Sequence, residues 1–172
     1  MALSAGIAKS CGALNGGIKR LGIASASGID LAVDFAWTTG EITTAPTKFY
    51  EFEFEIDTAE LRENGEMTNG VAIYNHEVEF YLRGNNTALR TALNELQDNC
   101  GFVIAVEDMN SNIYFMGVSE ALGLDYPAKL ASDATTSGKD LTDLTGSTIT
   151  LACRSTEKMN LSNGLTFDAL LV

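Results

Sequence analysis

The sequence is poor in the residues on which most enzymes depend. It holds one histidine, His76, and three cysteines, Cys11, Cys100 and Cys153. With a single imidazole, any Ser-His-Asp or Cys-His constellation would have to pass through His76. His76-Glu77 opens like the zinc motif H-E-x-x-H, but position 80 is Phe and no second histidine exists, which excludes zinc by that route. The three cysteines are odd in number and contain no C-x-x-C pair, so they read as small buried hydrophobes of a reducing compartment. The glycines from Gly12 to Gly17 have the spacing of a phosphate-loop opening, yet Ile18 stands where a lysine must follow. Neither G-x-G-x-x-G nor G-x-S-x-G occurs. Asp140 and Asp143 lack EF-hand ligand spacing and read as solvated loop acids. No catalytic residue, metal ligand or cofactor is expected.

Basic residues are also scarce: 11 Lys and Arg stand against 23 Asp and Glu, a net charge of −12. Phosphate binding rests on Lys and Arg releasing counterions, so such a surface adheres poorly to nucleic acid. Long apolar runs are missing too. None approaches the roughly 20 residues of a membrane-spanning helix, and residues 1–9 lack the basic-then-apolar order of a secretory leader. Hydrophobic residues make up 45% of the chain and charged residues 20%, a balance that supports a folded core. At 172 residues, one domain is expected.

What is present is mostly β patterning. Residues 1–16 are small, Gly-rich and weakly patterned, and read as a flexible N-terminal arm ahead of a β-rich body over 17–172. Residues 18–25 and 31–37 read as paired strands around the Ser27-Gly28 turn. Residues 48–56 alternate cleanly, with Tyr50, Phe52, Phe54 and Ile56 on one side and Glu51, Glu53 and Glu55 on the other. Residues 71–83 repeat the design: Ala72, Tyr74, Val78, Phe80 and Leu82 oppose Asn75, Glu77 and Glu79, and His76 falls on the apolar side. The polar connection 57–69, with Asn64-Gly65 and Asn69-Gly70, either extends a long hairpin or forms a mobile loop. One amphipathic helix is signalled. Asn86 or Thr87 caps it, Leu89, Ala92, Leu93 and Leu96 form its apolar stripe, and Asn99-Cys100-Gly101 stops it. That stripe must lie on the apolar face of a sheet. Residues 102–107 and 112–118 read as a hairpin, 119–145 as mostly loop, and 147–154 as a last strand. The tail 161–172 pairs at an edge or docks on a neighbour. The fold class is mainly β, a sandwich or half-barrel with one helix packed on it and a long β-hairpin.

The carboxylates need an explanation. Glu51, Glu53, Glu55, Glu77 and Glu79 crowd two strand faces, and no Lys or Arg of the same segments falls between them. Like charges opposed across strands cost stability. They form either the plain outer face of an acidic protein or the lining of an anionic channel, through which a polyanion slides without adhering.

Several segments in this order, Cys11, Gly16-Gly17-Ile18-Lys19, Phe49-Tyr50-Glu51-Phe52, the strand at 71–82 feeding the helix at 89–96, the strands at 102–107 and 112–117, and the close at Ser137-Gly138 and 146–151, together resemble tail-tube proteins of tailed bacteriophages and related virion structural proteins. The resemblance implies a β-sandwich flanked by a helix, assembling as hexameric rings that stack into a tube. The hairpin at 47–83 would join the inner barrel, while loops and the N-terminal arm would contact the next ring. Its partners would be further copies of itself and other tail proteins. DNA would pass without specific binding, no membrane would be involved, and the protein would be made in the host cytoplasm and end in the virion tail. The alternatives are another ring-forming virion component (tail completion, neck or head–tail connector) and a stand-alone β-sandwich binding module, with Trp37, Tyr114 and Tyr126 at a ligand site.

Overall fold

The computed structural model describes residues 15–97 and 100–172; most of the arm expected at 1–16, with Cys11, and Asn99 of the helix stop lie outside them. The chain opens with β1, Ile18–Ser25, followed by a 3-10 turn at Ala26–Gly28. Residues 31–37 do not form the expected partner of β1. Leu31–Asp34 is a single helical turn, α1, and only Ala36–Thr38 is a strand, β2, which pairs with β3, Glu41–Thr44. The reason is local. Asp30 Oδ1 accepts the Ala32 N–H at 3.1 Å, and Asp34 Oδ2 accepts the Asp30 N–H at 2.8 Å, so two aspartates satisfy the start of a helical turn.

β1 instead pairs with β4, Tyr50–Glu51, on one side and with β7, Phe102–Asp108, on the other. With β8, Ile113–Met116, and β11, Asn160–Leu161, these make a five-stranded sheet in the order β11-β8-β7-β1-β4. A second sheet has the order β5-β6-β10-β9, and all its pairs are antiparallel. Its members are β5, Glu60–Thr68; β6, Val71–Arg83; β9, Lys129–Thr136; and β10, Gly146–Ser155. Segment 57–69 thus extends the hairpin: Asn69 at φ 52° and Gly70 at φ 81° form the two-residue turn that Asn-Gly favours. The reading of 119–145 as mostly loop fails at β9, whose residues are nearly all exposed and so lack any alternation of burial.

The sheets join at two corners. After β4 the Phe52 N–H still reaches Leu21 O of β1 at 2.9 Å, but the Glu55 N–H reaches Tyr81 O of β6 at 3.0 Å. Residues 50–60 therefore leave one sheet and enter the other, a device of orthogonal sandwiches. At the second corner Ala128 exchanges two 2.8 Å hydrogen bonds with Phe102 of β7, and β9 begins at the next residue. Gly117 permits that approach, because a Cβ there would sit 2.5 Å from Phe102 O. The result is the sandwich closing toward a half-barrel that the alternation implied.

Two apolar clusters hold it together. Between the sheets lie Leu21, Ile23, Val78, Phe80, Ile104, Val106, Ile149 and Leu151, all buried. The helix α2, Thr87–Glu95, connects β6 to β7 and drives Leu93 and Leu96 into this same cluster, with Leu89 packed beside them. Asn86 caps it, its Oδ1 accepting the Leu89 N–H at 2.8 Å. The helix thus lays its leucine stripe on the apolar side of the sandwich, and Ala92 falls at the rim of a groove shared with Tyr50 and Phe52. The second cluster, on the far face of the five-stranded sheet, contains Phe35, Ile42, Phe49, Val103, Phe115, Phe167 and Leu170. The tail docks here, on its own body: Phe49 N–H donates to Leu170 O, and Val172 N–H to Phe49 O, each at 3.0 Å. This second cover explains why 102–107 is an unbroken buried run: β7 is packed on both faces.

Candidate functional site

The most distinctive surface is the outer face of the four-stranded sheet. Its inner face is spent on the core, so strand alternation sends the other half of its residues outward. The register aligns Glu60 with Glu79, Arg62 with Glu77, and Asn64 with Asn75; Thr150 lies beside Glu79 and Arg154 beside Asn75. Arg62 stands among three carboxylates, 2.8 Å from Glu77, 3.2 Å from Glu60 and 3.5 Å from Glu79, and their hydrogen bonds and charge raise its pKa further. Glu55 lies 3.9 Å from Arg83. Cations do not fall between the acids within the two segments, but strand pairing brings Arg62, Arg154 and Lys129 from other strands, with Arg83 from the end of β6, onto the face that holds Glu55, Glu60, Glu66, Glu77 and Glu79. Five acids against four bases leave a nearly balanced polar surface.

The five singled-out glutamates do not share one face. Glu51 belongs to the other sheet, where Arg20 grips it in a two-pronged contact at 2.7 and 3.1 Å and also reaches Asp168 at 2.6 Å. The guanidinium lies 4.7 Å over the Phe167 ring, and its hydrogen bond holds the Glu51 carboxyl below its usual range. Glu53, at the corner, is exposed and has no charge partner among the described residues. Glu55, Glu77 and Glu79 do come together. The strand expected at 48–56 shrinks to Tyr50–Glu51, because the segment leaves its sheet there and cannot bury one side throughout: Phe52 and Phe54 pack on the core, while Tyr50 and Ile56 are 64% and 78% exposed.

Both edges of this sheet are open. β5 and β9 have no strand on their outer sides among the described residues, neither contains proline, and positions 64–68 and 131–136 are exposed. Unpaired N–H and C=O groups along strands of 9 and 8 residues are a template for another strand.

His76 is 3% exposed on the inner side of β6. Its Nε2 lies 3.2 Å from Glu63 Oε2, out of line for a hydrogen bond, and its Nδ1 lies 3.8 Å from the Cys153 sulfur. Burial pushes the Cys153 thiol up to about 12, an unreactive state. Cys100, expected inside, is exposed. Trp37, Tyr114 and Tyr126 do not form a common site: Trp37 stacks on Phe35, Tyr114 lines a cleft beside Met159, and Tyr126 is 57% exposed near Arg154. Asp143 accepts the Lys139 and Asp140 N–H groups and shapes its own loop. No helix among the described residues is long and apolar enough to cross a membrane.

Comparison with protein-family models, with characterised proteins and with solved structures finds no match to this chain. The residues that sequence reasoning missed, Arg62 and the strand β9, differ in how far a signal existed. A two-residue turn at Asn69-Gly70 already dictates that Arg62 opposes Glu77. Nothing comparable marks β9.

Proposed function

We propose that the chain is a ring-forming structural protein, best read as a tail-tube subunit of a tailed bacteriophage and without a catalytic role. One observation carries this reading: a four-stranded antiparallel sheet with one core face, one polar face and two open edges. Because the strand number is even, β5 and β9 run in opposite directions. Copies related by rotation would then bring β9 of one against β5 of the next in antiparallel alignment, and closure of the ring would leave no edge. Six copies, the number implied by the resemblance, would give about 24 strands, more than the 16–18 that enclose an aqueous channel in porins.

In this arrangement the polar outer face lines the bore, with Glu55, Glu60, Glu66, Glu77 and Glu79 among its residues and Glu51 away from it. The chief cation there, Arg62, is already occupied by three carboxylates. A passing polyanion meets no surplus of positive charge to hold it.

The test is electron microscopy of the purified protein at rising concentration, beside a variant carrying Ala131→Lys and Ala134→Lys on the exposed edge β9. Rings or tubes with a central hole are expected from the parent, and folded single copies from the variant. A parent that stays monomeric, or a variant that assembles unchanged, overturns the reading. A single closed ring that never stacks would favour a neck, tail-completion or connector role.

A further inference from the structure

The four-stranded sheet carries unlike features at its two ends. At one end the loop 137–145 joins β9 to β10 and is held in shape by its own hydrogen bonds. Asp143 Oδ2 accepts the Lys139 and Asp140 N–H groups at 2.7 and 2.9 Å, and Thr145 Oγ1 donates to Ser137 O at 3.0 Å. The Gly84 N–H, just past β6, ties the loop down through Thr145 O at 2.7 Å. On this fixed loop Leu141 is fully exposed and Leu144 more than half exposed. At the other end, where β6 starts and β10 finishes, there is a groove of about 230 Å³. Ile73, Leu122 and Tyr126 give it apolar walls, and Arg154 is its one charged lining residue. Gly146 follows the loop directly and Ser155 lines the groove, so the two features lie roughly 30 Å apart along one strand, β10.

We propose that the Leu141 loop of one copy seats in the Ile73–Tyr126 groove of the next, an end-to-end contact between copies of this chain along the strand direction. Shape and polarity match: an apolar knob meets an apolar groove, and neither is covered by its own body. Charge matches too. Asp140 on the loop and Arg154 at the groove have no ion-pair partner among the described residues, and neither do Lys139 on the loop and Asp125 beside Tyr126. Each couple is of opposite sign, which favours this register over a loop-to-loop or groove-to-groove one. A loop already fixed by its own hydrogen bonds also loses little freedom when it docks. One leucine knob buries far less than the roughly 1,200 Å² of a stable interface, so the contact between two single copies is weak. It becomes firm when every copy of a ring presents it at once. The proposal rests on the self-assembling reading above, but it uses the strand ends and leaves the β5 and β9 edges to lateral pairing. A knob and a groove on different parts of one surface repeat without closing, which stacks rings into a tube.

The test is cross-linking of two full-length chains that both carry Cys11→Ser and Cys100→Ser, one with Thr142→Cys beside the knob and the other with Thr156→Cys at the groove. Both threonines are exposed, whereas the remaining Cys153 thiol is largely buried. With a short bismaleimide, mixed pairs should exceed either same-type pair by about tenfold or more, in the parent and with Ala131→Lys and Ala134→Lys blocking β9. Leu141→Asp should abolish that excess and leave melting unchanged, because its side chain touches nothing on its own body. Asp140→Arg should cut the excess roughly threefold, and Arg154→Asp in the other chain should restore it. Mixed pairs at chance frequency in both backgrounds, or an excess indifferent to Leu141→Asp, overturn the contact even if the parent forms rings. An excess in the edge-blocked chains, from a parent that never forms rings, sustains the contact and sinks the ring reading instead.

Discussion

Acidification should destabilise the folded chain through His76. Burial holds its imidazole below the ordinary value of 6.5, while the Glu63 carboxylate and the Glu157 backbone pull it partly back. A folded-state pKa below the unfolded one means that the unfolded chain binds the proton more readily. The His76 contribution is therefore complete above about pH 6.5 and is lost as pH falls through the folded-state value. Between the two values the slope approaches about 1.4 kcal/mol per pH unit. Urea unfolding of the parent and of His76→Leu, compared from about pH 7.5 to 5, isolates this slope from the carboxylates, which titrate mainly lower. The parent should lose stability relative to the variant across that window. Parallel curves would refute the burial argument. A parent that gains on the variant would show that the Glu63 contact at 3.2 Å outweighs burial.

Leu93→Ala should cost about 2–5 kcal/mol, read from the urea midpoint at unchanged m-value, since the residue is 6% exposed and belongs to the main apolar cluster. A loss under about 1 kcal/mol would mean that α2 is not part of that core. Gly70→Ala and Gly117→Ala share positive φ values of 81° and 86°, but only the second meets neighbouring atoms, Phe102 O at 2.5 Å and Ala128 N at 2.8 Å. Thermal melting should show a loss of about 1–2 kcal/mol for the first and a much larger one, or no folded protein, for the second. Equal shifts would refute the role of Gly117 as the point where the second corner closes.

Much of the fold was legible wherever burial is periodic and contacts are local. The strand over Val71–Arg83, the helix with its Asn86 cap, and the hairpin of β7 and β8 follow from alternation, capping chemistry and runs of apolar residues. Parts that depend on a partner distant in sequence were not legible. Residues 31–37 carry the composition of a strand, yet two aspartates turn their first half into helix. β9 has no apolar face to betray it, because at the edge of its sheet it is exposed almost throughout.

For the candidate site the division is the same. The chain alone determined a single imidazole, a strong acidic excess and two glutamate-rich segments. Tertiary structure alone decided that Glu51 would leave its neighbours for the other sheet and meet Arg20, and that Arg62 would stand among Glu60, Glu77 and Glu79. The reason is geometric. Alternation assigns a side chain to one of two faces of its own strand, but which strands lie next to it, and with what charge, is settled only when the sheet closes.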